Sequence, residues 1–411
     1  MNQTKITLTP EQEQAKDRLL AFINSDARAI ILQGHAGTGK TTIIKEVERQ
    51  RKAYEMLMQS IKPTTKYKWV YTAMTHKARE ALEGALGHEA STLHKYLGLR
   101  PTRAAGTLAQ HKFLPKERNV LLIIDECSYL DYSLLGYLNK YLDHNPTSKV
   151  ILLGDKNQLP PVGLNHCPTY HSDIEEIVLT QSVRQKDSPL IDDAASMFRN
   201  MVMGDSLQPI FADTNQVILL SKKEWDKQMI TSFEESRNVK VIRHSNHQVN
   251  QTNGKLFKHF NGRHEYREGD VVICNSYHQG IYSDTMMWIK NIKSIVYKNV
   301  EAYNVLAVTE DGSRIFLYIP KKQSELNKEI AELIAKNKNS DVIFLTRAFA
   351  DIRPMYACTV HKSQGSTYDE VFINLSDFKR MYASDPRMVA RLLYVAFSRA
   401  KHRVFLTGDI V

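Results

Sequence analysis

The stretch Gly34-His35-Ala36-Gly37-Thr38-Gly39-Lys40-Thr41 matches the pattern G-x-x-x-x-G-K-[ST] of phosphate-binding loops. It follows the apolar run Ala29–Leu32, which predicts a buried strand, and it precedes Thr42–Gln50, which predicts a helix. Glycines let the backbone curl so that its N–H groups point at phosphate oxygens, and the helix N-terminus adds partial positive charge. This stretch therefore predicts a nucleoside triphosphate site in an α/β domain.

Two side chains of this loop have a predicted chemical role. Lys40 is expected to neutralise the β- and γ-phosphates, and the Thr41 hydroxyl is expected to bind Mg²⁺. The residues predicted to bind the nucleotide in this loop are Gly34, Ala36, Gly37, Thr38, Gly39, Lys40, Thr41 and Thr42.

A second acidic site follows another apolar run, in Ile123-Ile124-Asp125-Glu126. Asp125 at the strand end can hold Mg²⁺ through water, and Glu126 can orient and deprotonate an attacking water. Adjacent carboxylates resist joint ionisation unless a cation lies between them, and the metal provides that cation. Glu126 favours hydrolysis over transfer to a second substrate, and a kinase is the alternative at this point.

Further apolar runs, bounded by turn residues, indicate how the chain is organised. Val/Ile/Leu runs that alternate with helical patterns are typical of parallel strands buried on both faces, and they predict two α/β sheets. These runs are Ala29–Leu32, Trp69–Ala73, Val120–Ile124, Val150–Leu153, Val239–Ile242, Val371–Leu375 and Val404–Leu406.

Residues Glu268 to Ile319 have a different sequence pattern, with short β-type runs and no long helical patterns between them. Asp311-Gly312 lies between the last two runs and predicts a hairpin turn. We expect a small antiparallel barrel inserted into the second α/β unit, followed by a charged helix at about Gln323–Lys336. The β-type runs are Val271–Ile273, Met286–Ile289, Val305–Val308 and Ile315–Ile319.

Composition limits the class of protein. The 411 residues are 42% hydrophobic, which excludes disorder as the main state and predicts two to four domains. No apolar run is long enough for a membrane span, and the start has no secretion signal. Four separated cysteines suggest neither a disulfide framework nor zinc, and they favour a reducing cytoplasm. The net charge of +10 favours nucleic acid as a partner.

Eight stretches together resemble the ordered motifs of superfamily 1 helicases. Gly154–Val162, with the sequence G-D-K-N-Q-L-P-P-V, is among the most specific of them. The stretches are Leu8–Gln12 (Q motif), Ala73–Ala78 (Ia), Ser91–His94 (Ib), Asp125–Ser128 (II), Gly154–Val162 (III), Leu179–Gln185 (IV), Thr359–Ser366 (V) and Leu393–Lys401 (VI). The phosphate loop is motif I of the same series.

This resemblance implies two RecA-like lobes with parallel sheets, ATP and Mg²⁺ as cofactors, and roles for individual residues. Gln12 would bind the adenine edge, and Gln158 would sense the γ-phosphate and link it to the nucleic-acid groove. Arg184 and Arg399 resemble the family's two arginine fingers, which stabilise charge on the transferring phosphoryl group. The implied catalytic residues are Lys40, Glu126, Gln158, Arg184 and Arg399.

Polar side chains in the motifs are candidates for holding a single strand. Hydroxyls, amides and cations bind phosphate oxygens without reading bases, as a sequence-blind motor requires. The candidates are Thr75, His76, Lys77, His94, Asn246, Thr359, His361 and Gln364, together with Phe113 as a base-stacking wedge.

Only residues 98–119 separate motifs Ib and II, which is too short for the large insertion of the 3′→5′ branch. This short segment and the small barrel expected in the second α/β unit both resemble the insertions of the 5′→3′ RecD/Pif1-like branch, superfamily 1B. The compact layout of the chain is similar to that of the phage Dda type. In that family a β-hairpin pin splits the duplex, and Phe113 with Leu114 is the apolar tip expected here.

The resemblance also implies domain boundaries. Residues 1–97 and 120–187 would form RecA-like domain 1A, with 98–119 as the pin insertion 1B. Residues 188–264 and 343–411 would form domain 2A, with 265–342 as an SH3-like insertion 2B and its following helix.

The sequence is therefore expected to encode an ATP-dependent 5′→3′ DNA helicase acting in replication, repair or recombination. Expected partners are single-stranded DNA, forked or tailed duplexes, and a single-strand-binding protein or replisome component. We expect a monomer in a phage or bacterial cytosol, without a membrane partner. The alternatives are a translocase that strips proteins from single strands, an ATP-controlled binding module, and an RNA helicase like the Upf1 group. Cys127, beside the acidic pair, predicts an ATPase sensitive to thiol reagents.

Overall fold

The computed structural model describes residues 7–59, 65–101, 108–110, 114–183, 188–213, 215–236, 238–278, 281 and 283–410. The chain divides into two compact units, Met1–Val239 with Val360–Val411, and Lys240–Thr359. No helix of the described ranges combines the length and apolar character needed to cross a bilayer.

The strands of the described ranges include both long central strands and short edge strands. In chain order they are β1 Ala29–Gly34, β2 Lys68–Ala73, β3 Ala90–Thr92, β4 Leu99–Pro101, β5 Leu108–Gln110, β6 Val120–Asp125, β7 Lys149–Gly154, β8 Glu175–Leu179, β9 Val217–Leu219, β10 Val239–Arg243, β11 Val271–Cys274, β12 Met286–Tyr297, β13 Val300–Thr309, β14 Arg314–Pro320, β15 Ile352–Arg353, β16 Ala357–Thr359, β17 Tyr368–Asn374 and β18 Ala400–Thr407.

Several helices have a capping residue or a proline at the N-terminus. Thr9 caps α1, for example, and Pro10 is the first residue of that helix. In chain order they are α1 Pro10–Ile23, α2 Lys40–Gln59, α3 His76–Leu86, α4 Leu93–Tyr96, α5 Tyr132–His144, α6 Pro189–Met203, α7 Lys222–Glu235, α8 Asn246–Asn261, α9 Gln323–Ala335, α10 Asn339–Ala348, α11 Val360–Ser363, α12 Lys379–Tyr382 and α13 Pro386–Phe397.

The first sheet is parallel, with the strand order β3-β2-β6-β7-β1-β8. Successive side chains of a strand point to opposite faces of the sheet. In the central strands, the side chains on both faces are buried in a core. Ile30 and Leu32 of β1 enter one core cluster, with α1 and α2, whereas Ile31 between them enters another, with α5. This two-faced burial explains the continuous apolar runs of the sequence.

The parallel register brings several motifs to one edge of this sheet. Gln33 pairs with Gly154, and Ala73 pairs with Asp125. The carboxyl ends of β1, β6 and β7 therefore lie side by side, and the phosphate loop, motif II and motif III each continue from one of them.

The larger unit also contains the parallel strands β17, β18 and β9. Helix α13 packs on α6, where the rings of Phe198 and Phe397 lie 5.3 Å apart. The indole of Trp225 in α7 donates a hydrogen bond of 3.1 Å to the carbonyl of Phe405. These contacts attach motif VI, which begins in α13, to a buried core.

The smaller unit is mainly antiparallel. Strands β10 and β16 pair in parallel, whereas five strands form an antiparallel sheet in the order β14-β13-β12-β11-β15. Gly312, with a φ of +82°, turns the chain between β13 and β14 as Asp311-Gly312 predicted. Helices α9 and α10 pack against β13 through Leu326 and Leu345.

The predicted fold class is confirmed: parallel-sheet, RecA-like lobes carry a separate antiparallel sheet. The predicted helix at Gln323–Lys336 corresponds to α9, whereas α10 was not predicted. The proposed boundaries of 1A, 1B, 2A and 2B stay predictions.

Residues 98–119 contain an antiparallel pair, β4 with β5, in which Leu99 faces Gln110. Phe113, the predicted wedge, lies outside the described residues. Leu114 was predicted as part of an apolar tip, and this is wrong. Its side chain is partly buried against the core beneath α5, because its apolar surface is more stable there than in water.

Candidate nucleotide site and the adjoining motifs

The phosphate loop has the strained backbone that its glycines allow. Gly37 and Gly39 have φ values of +86° and +83°, a region that other residues rarely adopt. A Cβ atom on Gly34 would lie 2.5 Å from Thr38 Oγ1, so glycine is also required there by space. Helix α2 begins at Lys40, which places Thr41 and Thr42 in its first turn. The loop thus has the curled form that presents backbone N–H groups to an anion.

Lys40 lies across this loop. Its Nζ donates hydrogen bonds to the carbonyls of Gly34 at 2.6 Å and His35 at 3.3 Å. Lys40 also lowers the pKa of Asp125 and Glu126, whose dominant shifts come from burial and point upward. The amine is therefore close enough to motif II to balance the negative charge of its two carboxylates.

Gln12 is held by hydrogen bonds to the start of α1 and to the phosphate loop. Its Oε1 accepts from the backbone N–H of Thr9 at 3.0 Å, and its Nε2 donates to the carbonyl of Thr38 at 2.9 Å. The side chain is buried, and a Cβ on Gly39 would lie 2.5 Å from its Nε2. Gln12 thus caps α1 and supports the phosphate loop, and its predicted contact with adenine stays a prediction.

Motif II places two carboxylates at the end of β6. The Glu126 backbone N–H donates to Asp125 Oδ1 at 2.9 Å, and Glu126 has a left-handed φ of +56°. Burial and then the charge of Asp125 raise the pKa of Glu126 to about 7, while Arg399 and Lys40 oppose the rise. A carboxylate with a pKa near neutrality is suited to accept a proton from water.

The predicted Mg²⁺ ligands fit this ion chemically. Thr41 supplies a hydroxyl oxygen, and Asp125 supplies a carboxylate whose pKa is raised by burial, so a cation would relieve its desolvation. Bound Mg²⁺ would neutralise phosphate charge. The described residues contain no group of three or more His, Cys, Asp or Glu side chains that could hold another metal.

Gln158 of motif III contacts motif V directly. Gln364 Nε2 donates to Gln158 Oε1 at 2.9 Å, and Tyr129 donates its hydroxyl proton to Gln364 Oε1 at 2.5 Å. Both glutamines are almost fully buried. Gln364 was predicted to contact nucleic acid, but both atoms of its amide group are bonded within the protein. It therefore connects motif V with motif III and with Tyr129, the residue that follows motif II.

Helix α13 contacts motif III through two side chains, Tyr394 of motif VI and Arg391 just before it. The hydroxyl of Tyr394 donates to Asp155, whose carboxylate also accepts from the Asn157 N–H at 2.9 Å. Arg391 Nη1 donates to the carbonyls of Lys156 at 2.7 Å and Gln158 at 2.8 Å. Two side chains of α13 thus hold motif III by hydrogen bonds.

Arg399 is buried and held by backbone and hydroxyl oxygens. Its Nη1 donates to the carbonyl of Ser366 at 3.2 Å, and its Nη2 donates to Ser398 Oγ at 2.8 Å. Its charge lowers the pKa of Glu126 against the larger effect of burial. Arg399 thus acts electrostatically on Glu126, and its role as an arginine finger stays a prediction. Arg184 lies outside the described residues.

Three nucleic-acid candidates surround the start of α3. Thr75 caps this helix by accepting the Ala78 N–H at 3.1 Å, and His76 and Lys77 form its first turn. Gly365 of motif V packs against the same turn, since a Cβ there would lie 3.5 Å from Ala78 Cβ.

The other candidates are distributed between the two units. His94 lies in α4, and burial lowers its pKa, while exposed His361 lies in α11, where its carbonyl is near the Tyr129 hydroxyl. In the smaller unit, Asn246 begins α8 and accepts from Arg353 at 3.0 Å, and Thr359 ends β16.

Sequence reasoning missed several residues of this site: Tyr129, Arg391 and Tyr394, and also Glu11, whose carboxylate accepts hydrogen bonds from the backbone N–H groups of Thr180 and Gln181. Tyr129 and Tyr394 lie within or beside recognised motifs, and their position there was the available signal. Their partners depend on tertiary contacts, so spacing along the chain did not identify them.

The thiol prediction for Cys127 is wrong. Its side chain is fully buried, and burial raises the thiol pKa well above its usual value. A thiol reacts as the thiolate, so burial makes Cys127 unreactive at neutral pH.

Comparison with known proteins shows which proteins the chain resembles. An AAA domain model matches residues 7–210, and a UvrD-like helicase C-terminal domain model matches residues 354–407. The chain is 22% identical to the ATP-dependent DNA helicase dda of Enterobacteria phage T4, covering 97% of this chain and 98% of the relative. It is 26% identical to the ATP-dependent RecD2 DNA helicase of Deinococcus radiodurans, covering 98% of this chain and 49% of the relative.

The fold agrees with these matches. A solved structure concerned with DNA unwinding at forked double-stranded DNA by two coordinating Pif1 helicases aligns with a TM-score of 0.54 at 18% identity. The alignment covers 99% of this chain and 93% of that one. The chain is thus similar over nearly its whole length to proteins named as ATP-dependent DNA helicases, and its fold is similar to that of the Pif1 structure. These similarities agree with the predicted resemblance to superfamily 1B and with the predicted order of motifs.

Proposed function

We propose that this helicase hydrolyses Mg-ATP to move 5′→3′ along single-stranded DNA and to separate duplex DNA ahead of it. The observation that carries this proposal is the hydrogen-bonded chain Tyr129–Gln364–Gln158. It joins the acidic pair of motif II to motif V, in which we place strand-binding residues. A change at the nucleotide can therefore be transmitted to the strand through buried, directional bonds.

In this proposal, the phosphate loop binds the triphosphate and Lys40 neutralises charge on its β- and γ-phosphates. Thr41 and Asp125 hold Mg²⁺, and Glu126 takes a proton from the attacking water. Arg399, together with Arg184, stabilises charge on the transferring phosphoryl group. The raised pKa of Glu126 supports its role as a base.

The strand is proposed to lie across the first turns of α3 and α4 and across motif V. Thr75, Lys77 and His361 offer a hydroxyl, an amine and an imidazole, which bind phosphate oxygens without reading bases. The short 98–119 segment with its β4–β5 pair supports the 5′→3′ branch, because it leaves no room for a large insertion. The phage and bacterial relatives support a cytosolic location.

The proposed partners are single-stranded DNA and forked or tailed duplexes. The T4 relative is a DNA helicase, and the Pif1 structure concerns forked double-stranded DNA. The further partners, a single-strand-binding protein or a replisome component, stay predictions, as does activity as a monomer.

The test uses two duplexes, one with a 5′ single-stranded tail and one with a 3′ tail, in the presence of ATP and Mg²⁺. We expect unwinding of the 5′-tailed duplex alone, and none by Lys40→Ala. Lys45→Ala is the matched control, since Lys45 lies on the same helix but is exposed and bonded to the carbonyl of Ala85. Unwinding from the 3′ tail overturns the direction. Strand-stimulated hydrolysis without unwinding favours a translocase, and preference for an RNA duplex favours an RNA helicase.

A further inference from the structure

The backbone at Glu126, directly after strand β6, is left-handed. Its φ and ψ angles are +56° and +46°, a conformation that is unfavourable for a residue with a side chain. Four of the five other non-glycine residues with a positive φ in the described ranges are Asn or Asp, whose short side chains can bond the local backbone. The Glu126 side chain makes no capping bond to the turn that follows. Its backbone conformation must therefore be held by other contacts.

A 3-10 turn follows Glu126, and the carbonyl of its first residue, Cys127, is bonded from two directions. It accepts the Leu130 N–H at 3.1 Å, which closes the turn. It also accepts the hydroxyl of Thr169 at 3.2 Å, and Cys167 Sγ lies 3.7 Å away. A carbonyl oxygen only accepts, so the hydroxyl must donate, and a hydroxyl is a stronger donor than a thiol. Thr169 therefore holds the turn from a position 42 residues farther along the chain.

This contact is buried and closely packed. Cys127, Ser128 and Thr169 are each at most 1% exposed, so the hydroxyl bond is shielded from water. Cys127 Sγ lies 3.5 Å from the hydroxyl of Tyr170, the neighbour of Thr169. A Cβ atom on Gly154, at the end of β7, would lie 2.5 Å from the same sulfur, so only glycine fits there. The turn is thus enclosed by β7 and by the segment that contains Thr169.

We propose that Thr169 is a positioning residue for ATP hydrolysis, whose hydroxyl holds the Cys127 carbonyl and thereby the left-handed backbone that orients the Glu126 carboxylate. Its segment, Pro168–His171, belongs to none of the recognised motifs. Lys40 acts electrostatically on the Glu126 carboxylate, which therefore lies near the phosphate loop. Without the hydroxyl, the turn can relax, and a displacement of about 1 Å of a catalytic group can slow a reaction about a hundredfold. This inference rests on the role proposed for Glu126.

The first test follows the turn itself, in the protein without nucleotide. Thr169→Val removes the hydroxyl at nearly constant volume, whereas Thr169→Ser keeps it. The amides of Tyr129 and Leu130 bond to carbonyls within this turn, so their hydrogen exchange reports its opening. We expect exchange about tenfold faster in Thr169→Val and unchanged in Thr169→Ser. Wild-type exchange in Thr169→Val overturns the inference, whatever the role of Glu126.

The second test measures kcat and KM of strand-stimulated ATP hydrolysis. Thr169→Val should lower kcat about tenfold and leave KM within about twofold of wild type, because the nucleotide still binds while the carboxylate is displaced. Thr169→Ser should restore kcat. Thr169→Cys differs from Thr169→Ser by one atom and has a weaker donor, so its kcat should be lower than that of Thr169→Ser. Equal kcat values in the Cys and Ser variants overturn the proposal.

Thr72→Val is the matched control for both tests. The Thr72 hydroxyl also donates to a backbone carbonyl, that of Ile123 in β6, at 2.9 Å, and Thr72 is likewise fully buried. This variant loses one buried hydroxyl bond, so its stability in urea should fall as in Thr169→Val. It should nevertheless keep wild-type kcat and wild-type exchange in the turn. A comparable loss of kcat in both Val variants would show general destabilisation and overturn the inference.

A double substitution separates this inference from the proposed function. Glu126→Gln lacks the proton-accepting carboxylate, so adding Thr169→Val to it should change the residual kcat by less than about twofold. A further tenfold fall in the double variant would show that Thr169 acts through another group, and it overturns the inference. Wild-type hydrolysis by Glu126→Gln would instead overturn the role proposed for Glu126, whereas the exchange test of the turn does not depend on that role.

Discussion

Gln364 of motif V donates a hydrogen bond of 2.9 Å from its side-chain amide to the side-chain oxygen of Gln158 in motif III. The bond is buried, and its donor is held in turn by the hydroxyl of Tyr129, which follows the acidic pair. Motifs III and V and the residue that follows motif II, which are far apart in the chain, thus share one set of hydrogen bonds. This arrangement is the physical basis for coupling between nucleotide and strand in the proposed function.

Gln364→Ala should uncouple hydrolysis from the strand. Among the described residues, the Gln364 amide is the hydrogen-bond donor to Gln158 Oε1. The substitution leaves this buried acceptor unpaired, which should lower the free energy of unfolding by about 1–3 kcal/mol. We expect basal ATP hydrolysis to persist and its stimulation by single-stranded DNA to fall about tenfold. Steady-state hydrolysis with and without a DNA strand measures this ratio.

The control for this variant is Gln323→Ala, because Gln323 is an exposed glutamine at the start of α9, in the smaller unit. It should retain full stimulation. Equal stimulation in Gln364→Ala and wild type would show that the bond to Gln158 does not carry the coupling.

Tyr394→Phe should destabilise the larger unit. The Asp155 carboxylate is almost fully buried and would lose its hydroxyl donor from motif VI. A hydrogen bond to a charged group contributes about 1.5–3 kcal/mol, so the free energy of unfolding in urea should decrease by about that amount. Tyr132→Phe removes an exposed hydroxyl bond to His166 and should cost less than about 0.5 kcal/mol. Equal losses in the two variants would contradict the role assigned to Tyr394.

The native protein should resist thiol reagents. All four cysteines are buried, and burial raises the pKa of Cys127 and of Cys167. A colorimetric thiol reagent at neutral pH should therefore react slowly with the folded chain and leave ATP hydrolysis unchanged. It should react with all four thiols once the chain is unfolded in denaturant. Rapid labelling of the folded chain, with loss of activity, would show that Cys127 is accessible.

Stability should decrease below neutral pH in part because of His76. Burial, with smaller effects of Arg79, Lys95 and His94, lowers the pKa of His76 to about 4. The unfolded chain binds this proton below about pH 6.5, whereas the folded chain does not, so the free energy of unfolding falls as the pH drops toward 4.

This contribution of His76 is isolated by substitution. Between about pH 7 and about pH 4.5, the free energy of unfolding of His76→Gln should fall by about 1 kcal/mol less than that of wild type. This figure allows for solvent screening of a half-buried group. Urea unfolding at both pH values measures the difference, and the exposed His171→Gln should follow wild type. An identical pH dependence in His76→Gln and wild type would mean that His76 is protonated in the folded protein.

The sequence predicted the parts of the fold that follow from local pattern. Strands β1, β6 and β7 are continuous Val/Ile/Leu runs because both of their faces are buried, and the glycines at 37 and 39 are required by their positive φ values. Strand β8 was not predicted, since Glu175 and Glu176 interrupt its apolar character at the sheet edge.

The hydrogen-bond partners of side chains were harder to predict from the sequence than the helices and strands. Gln12 and Gln364 were expected to reach ligands, yet their amide groups bond to Thr38 and Gln158 across 26 and 206 residues of chain. Such pairs arise only when distant segments pack together, so no spacing rule identifies them. The same holds for the bonds of Glu11 to residues 180 and 181.

The most direct test of the central claim separates movement along the strand from duplex separation. Single-stranded oligonucleotides carry biotin at the 3′ end or at the 5′ end, each bound by streptavidin, and displacement is followed with ATP and Mg²⁺. We predict rapid displacement from the 3′ end, none above background from the 5′ end, and none with Lys40→Ala. Displacement from the 5′ end alone would contradict the proposed 5′→3′ direction of movement.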